Sequence, residues 1–312
     1  MAAPRAPIWD FAVGPARAAP GVLSMIGYRA LDVPDRVHRG LPSASLTLIV
    51  SGDDGVRAAP STAALPAAAP LPVLLGGLHL HASRVRQCRG QTGVQLAVHP
   101  LASRALFGLP AGELCDAGYD ATAVLGAACA ELPGRVGDAG TWPARFDAVS
   151  GWLTGQARDV RVRPELAHAW RLLERSRGRM PIGTLAERVG LSRRHLGALF
   201  RREVGHGPKT VAMLLRFEHA TTRIAAAARR GGHVDLAGIA AATGYSDQAH
   251  LSREFVRFAG LAPRAWLTEE FQNIQDGGHA PRPEWCDDHR EATDHPAPGH
   301  RDPDRLADPA SP

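Results

Sequence analysis

Residues 184–209 and 238–264 carry one pattern twice, and that repeat constrains the fold more than any other feature of the chain. The first copy reads TLAERVGLSRRHLGALFRREVGHGPK and the second GIAAATGYSDQAHLSREFVRFAGLAPR. Phe200 and Phe255 are each followed five residues later by glycine (Gly205, Gly260), eight later by proline (Pro208, Pro263) and nine later by a cation (Lys209, Arg264). Upstream, Ala186 and Ala240 precede Gly190 and Gly244 by four residues. The offset is 54 before the turn and 55 after it, so the second turn holds one extra residue. A repeat of this kind marks one supersecondary unit used twice.

Within the first copy, Leu185 and Val189 are four apart and share a helix face, and Leu196, Leu199 and Phe200 follow at helical spacing. Gly190 stands between these runs, where a tight turn needs positive φ and only glycine escapes the Cβ penalty. Ser192 is placed to cap the second helix by accepting an orphan amide. The second copy repeats the logic: Ile239 opens a helix, Gly244 turns the chain, Ser246 or Asp247 caps, and Leu251, Phe255 and Phe258 face inward. Helix, glycine-bearing turn, helix is the arrangement that sets a second helix into the major groove of DNA.

Each second helix has a polar outer stripe. On the first it is Arg194, Gly197, Ala198 and Arg201, flanked by Arg193 and Arg202; on the second it is Gln248, Ala249, Ser252 and Arg253. Arginine pairs bidentately with guanine and glutamine with adenine, while short side chains allow close approach. Arg194 is therefore expected to carry most of the first helix's base reading, and Arg193, Arg201 and Arg202 to contact phosphates, which position the protein without specifying sequence. Between the copies, residues 207–232 keep a helical period through Met213, Leu214, Phe217, Ala220, Thr221 and Ile224, with Pro208 at the first helical position. About twenty helical residues span roughly 30 Å, close to the ~34 Å between successive major-groove segments on one face of B-DNA.

These residues resemble the AraC/XylS family of bacterial transcription regulators. The resemblance is carried by GTLAERVGLSRRHLGALFRREVGHGPK, by RFEHA at 216–220, and by IAAATGYSDQAHLSREFVRFAGLAPRAW, and covers about residues 165–272. It implies a seven-helix DNA-binding domain with two helix-turn-helices joined by a long helix, promoter binding, and contact with RNA polymerase. The DNA-contacting positions implied are Ser192, Arg193, Arg194, Gly197, Ala198, Arg201, Lys209, Ser246, Gln248, Ala249, Ser252 and Arg253. The chain departs from the family pattern in the small residues at 197 and 198 and in its tail after residue 275.

Charge is distributed in keeping with that expectation. Residues 1–157 carry 12 basic and 11 acidic side chains, residues 158–275 carry 20 and 11, and residues 276–312 carry 4 and 9. The basic excess falls on the repeat, the electrostatic footprint of phosphate binding. Lys209 is the only lysine. Cys88, Cys115, Cys129 and Cys286 are far apart with no C-x-x-C, which argues against a zinc site or a disulfide framework. No basic-then-apolar leader or 18-residue apolar run is present, so a cytoplasmic address and no membrane partner are expected.

The N-terminal half has strand-like runs at 24–31, 45–50, 73–80, 84–88 and 94–99, bounded by glycine and proline. The proline-bearing stretch 58–72 reads as a loop, and helical texture follows at 101–107, 120–132 and 144–157. The expected organisation is a disordered N-terminus at 1–20 and an α+β effector-binding or dimerisation domain at 21–157, a cupin-like small barrel or sandwich plus helices. An all-α double helix-turn-helix domain at 158–275 and a disordered acidic tail at 276–312 complete it. His79 and His81, as H-x-H on one strand face with His99 on a later strand, raise the alternative of a cupin-type metal-dependent enzyme fused to a DNA-binding domain. No carboxylate follows the pair; Arg84 and Arg86 do. The favoured expectation is a non-enzymatic regulator without cofactor or metal, whose partners are double-stranded DNA, RNA polymerase, a small-molecule effector and a second copy of itself. A regulatory pocket lined by Leu, Val, Arg84 and Arg86 is expected in the N-terminal half.

Overall fold

The computed structural model describes residues 9–15, 18–31, 35–114, 118–231 and 233–275. The expected disordered tail at 276–312 lies outside them, as do residues 1–8, 16 and 17 of the expected disordered N-terminus.

Burial alternates along LTLIV in β4 (Leu46–Ser51), an inner strand of the first half. Leu46, Leu48 and Val50 point inward and sit opposite Val98, Leu96 and Val94 of β8 (Thr92–Val98). On the other side Leu48 and Val50 face Leu75 and Val73 of β6 (Val73–Gly76). All eight are completely buried. The full antiparallel sheet has the order β1-β2-β8-β4-β6-β9, with β1 at Trp9–Val13, β2 at Val22–Ala30 and β9 at Tyr119–Asp120. A second, three-stranded sheet orders β3 (Arg36–Gly40), β7 (Ser83–Gln87) and β5 (Ala58–Ala59). The fold is thus a sheet-rich N-terminal half of two antiparallel sheets followed by a helical C-terminal half.

Several expectations are corrected. Residues Trp9–Val13, placed in a frayed N-terminus, form β1 and pair along β2 from Trp9↔Ala30 to Val13↔Ile26. The strand expected over 73–80 ends at Gly76, because Gly77 packs its backbone directly onto the Leu114 carbonyl, where no side chain fits. The helix expected over 120–132 breaks at Gly126 (φ 77°) into α2 (Ala121–Leu125) and α3 (Leu132–Asp138). Arg84 lies beside Arg39 and Glu269, whereas Arg86 pairs with Asp35 at 3.2 Å on the surface, so the two do not line one pocket. Helices α1 (Ser103–Phe107) and α4 (Trp142–Gln156) complete this half.

Seven helices follow: α5 (Pro164–Arg175), α6 (Ile182–Arg188), α7 (Arg193–Val204), α8 (Pro208–Arg229), α9 (Leu236–Thr243), α10 (Gln248–Ala259) and α11 (Pro263–Gln275). Trp170 of α5 stacks on Phe200 of α7 with centroids 6.2 Å apart. Phe217 of α8 meets Phe255 and Phe258 of α10 at 5.1 and 5.0 Å. Each inward aromatic thus fastens a helix-turn-helix to its neighbours. Both halves lie in one compact unit.

His99 seals the join between the halves. It caps the turn after β8, its Nδ1 accepting the Leu101 amide at 3.1 Å, and its ring lies 5.1 Å from that of Trp170. Burial holds its pKa down to about 3 from the ordinary 6.5. A protonated Nδ1 also loses the Leu101 bond. The unfolded chain therefore takes up a proton below pH 6.5 that the folded chain refuses until about pH 3. Stability from this group is complete above pH 6.5 and falls as pH drops toward 3, by about 1.4 kcal/mol per pH unit. His219, held down to about 4 by burial and by Arg177, Arg223 and Arg179, acts in the same direction. Melting curves between pH 7 and 5 are expected to show an acid-side loss that His99→Asn, which keeps a capping acceptor, makes shallower. An unchanged slope in that variant would remove His99 as the cause.

Candidate nucleic-acid interface

The two turns are built as their residues require. Gly190 and Gly244 hold φ of 69° and 84°, and Gly205 and Gly260 close α7 and α10, the second helix of each repeat, in the left-handed conformation. Ser192 caps α7 by accepting the His195 amide at 3.2 Å. Asp247 caps α10, accepting the His250 amide at 2.6 Å, while Ser246 donates to the Asp247 carboxylate at 3.3 Å and so supports the cap. The long helix α8 runs for 22 residues from Pro208, about 33 Å at 1.5 Å per residue.

Ser192, Arg193, Arg194, Ala198, Arg201, Lys209, Ser246, Gln248, Ala249 and Arg253 are exposed, and Ser252 is half-buried. Gly197 is a correction: it is buried, not open on the outer stripe. The Arg201 guanidinium lies across it, with Nη1 3.4 Å from where a Cβ would stand. The missing side chain at Gly197 leaves the space in which the Arg201 guanidinium lies. Arg193 similarly occupies the space a side chain on Gly183 of α6 would need. Arg202 is bound to Glu203 at 2.8 Å, and Glu203 also takes Arg104 of the sheet half at 2.7 Å. That pairing ties Arg202 back toward the protein.

Several neighbouring residues carry no mark in the sequence pattern. His195 and His250 hold equivalent positions, 55 residues apart, beside the two caps. Val256 and Arg257 are exposed on α10. Lys209, Arg216, His250, Glu254 and Arg257 line an open groove between α8 and α10. At its base is a polar network: the Tyr245 hydroxyl donates to Glu254 at 2.7 Å, and Arg216 lies 3.6 Å from the other Glu254 oxygen. Glu254 is 7% exposed. Its clue was a carboxylate beside Phe255 on an otherwise apolar face. The network joins the turn, α10 and α8, so Tyr245→Phe is expected to cost about 1–3 kcal/mol by stranding a buried acceptor. A chemical denaturation midpoint unchanged from wild type would contradict this.

His79 and His81 do not share a strand face, because both lie in the loop between β6 and β7. His79 donates from Nδ1 to the Gly77 carbonyl at 3.2 Å, and burial lowers its pKa. His99 is the cap described above. Among the described residues, no group of three or more His, Cys, Asp or Glu side chains is placed to hold a metal. A cavity of about 200 Å³ lies where the halves meet, walled by Pro100, Leu101 and Arg104, by the segment Val160–Arg163, and by Arg202 and Glu203. Among the described residues no helix is long and apolar enough to cross a membrane.

The arrangement is that of a double helix-turn-helix protein. A family model described as a helix-turn-helix domain matches residues 185–269. A putative AraC-like transcription regulator from Streptomyces lividans is 37% identical over 117 residues, covering 37% of this chain and 35% of that protein. Another of the same description, from Streptomyces antibioticus, is 36% identical over 123 residues, covering 38% and 36%. The chain therefore matches about a third of the length of these relatives. Among solved structures, ToxT from Vibrio cholerae aligns with 81% of this chain and 98% of its own, at a TM-score of 0.46 and 11% identity. The C-terminal segment holds a helix-turn-helix domain, and it is similar to part of these AraC-like regulators.

Proposed function

We propose that the chain is a sequence-specific DNA-binding transcription regulator whose recognition helices α7 and α10 read adjacent major-groove segments of a promoter. The observation that carries this reading is the repeated, exposed, basic outer face of two helices joined by a 22-residue helix. The length of α8, about 33 Å, matches one turn of B-DNA. Arg194, Gln248, Ser252 and Arg253 are the base readers on this account. Arg193, Arg201 and Lys209 contact phosphates, and Ser192 and Ser246 hold the helix starts. RNA polymerase is the further partner, the cytoplasm the site of action, and a second copy of the chain a partner through the sheet half.

The sheet half is the sensor. An occupant of the 200 Å³ cavity would touch the sheet half, the connecting segment and α7 at once, and so bias their arrangement through its differential affinity. The test of DNA reading is a competition assay between selected and random duplexes over a range of salt. A specific binder keeps a large ratio over random DNA as well as a steep salt slope; equal affinity for both duplexes removes the reading. The enzymatic alternative gains nothing from His79 and His81, whose loop position sets them apart from any strand-borne ligand pair.

A further inference from the structure

The sheet half grips both recognition helices at the same end. At the end of α7, His206 donates from Nε2 to the Leu78 carbonyl at 2.7 Å. Gly112 packs its backbone there too, and a Cβ on it would meet the Arg202 and Arg201 carbonyls at 2.8 and 3.0 Å. At the end of α10, the Ala82 amide donates to the Phe258 carbonyl at 2.8 Å. Arg39 donates from Nη1 to the Ala259 carbonyl at 2.9 Å, and holds both Glu269 oxygens of α11 at 2.8 Å. Glu270 accepts from the Arg39 amide at 3.2 Å and from His38 Nδ1 at 3.0 Å.

In the register of the repeat these are equivalent ends, since Gly205 and Gly260 correspond. One short segment reaches both: Leu78 takes the first helix-turn-helix and Ala82 the second. The segment is itself pinned, with Leu78 1% exposed and Gly77 against Leu114. The two helix-turn-helices are thus joined by α8 and, independently, by this bridge. The packing on α8 holds each helix-turn-helix from one side; a second tie on the same two elements closes the frame.

We propose that the segment Leu78–Ala82, with Arg39, fixes the separation and tilt of the two recognition helices and so sets the half-site spacing that the chain accepts. This rests on the DNA-reading function proposed above. A DNA site of the wrong spacing must then bend or must break the bridge, and either lowers affinity. The bridge residues act through the recognition helices and need not touch DNA.

The experiment uses the full chain and duplexes carrying the two base blocks selected by the wild type, separated by the selected spacing or by one or two base pairs more or fewer. Three variants are compared: Arg39→Ala, His206→Ala, and an insertion of two glycines between Leu80 and His81, which lengthens the bridge while keeping its bonds. The wild type is expected to favour one spacing. His206→Ala and the insertion are expected to shrink its penalty for altered spacing at least tenfold, with affinity at the best spacing changed less. A merely structural role would weaken all spacings alike. Folded His206→Ala and insertion variants with the wild-type spacing profile overturn the proposal, whatever becomes of Arg39→Ala. A wild type that selects no base blocks at all instead overturns the DNA-reading function.

Discussion

Replacing Arg194 and Arg253 together with alanine is expected to erase most of the chain's preference for its target over random DNA. Both guanidiniums are exposed, one on each recognition helix. A bidentate arginine–guanine pair gives about 1–3 kcal/mol of discrimination. Sites on separate elements add, so the double variant loses on the order of 10²–10⁴ in preference. Lys209→Ala is expected to behave differently, because on the proposed reading it contacts a phosphate, which carries no sequence information. It is expected to weaken binding to all duplexes alike and to reduce the salt slope by about one unit. Titrations on target and random duplexes at several salt concentrations separate the two. An equal loss on both duplexes in the Arg194/Arg253 variant would reassign these arginines to phosphate.

The largest stability effect is expected at Phe217. Its side chain is fully buried and its ring meets both Phe255 and Phe258. Phe217→Ala leaves a cavity where α8 meets α10 and is expected to cost about 3–5 kcal/mol. The loss should appear as a lower denaturation midpoint, with weakened DNA binding following because α10 is no longer held on α8. Phe217→Leu, which restores most of the volume, is expected to recover much of both. A cost for Phe217→Ala under about 1 kcal/mol would mean that the site collapses freely and that other contacts hold α10.

The helical half was legible because its rules are local. Gly190 and Gly244 announce their turns, Ser192 and Asp247 their caps, and Pro208 the start of α8, each through chemistry within four residues. The seam was not legible because its partners are distant in sequence. Nothing in RVHRG marks Arg39 as the ligand of Glu269, 230 residues away, and the basic, short β3 carries little alternation. β1 was hidden by the alanine and proline around it, although Trp9, Phe11 and Val13 alternate as a strand should. Gly197 deceived for another reason: helical periodicity places a residue on a face but does not show that Arg201, one turn on, folds back over it.

The most direct test of the account is selection from random duplex DNA with the full chain. The account predicts enrichment of two short blocks about one helical turn apart, each dependent on one recognition helix. Recovery of no motif, with binding that only declines as salt rises, would contradict it.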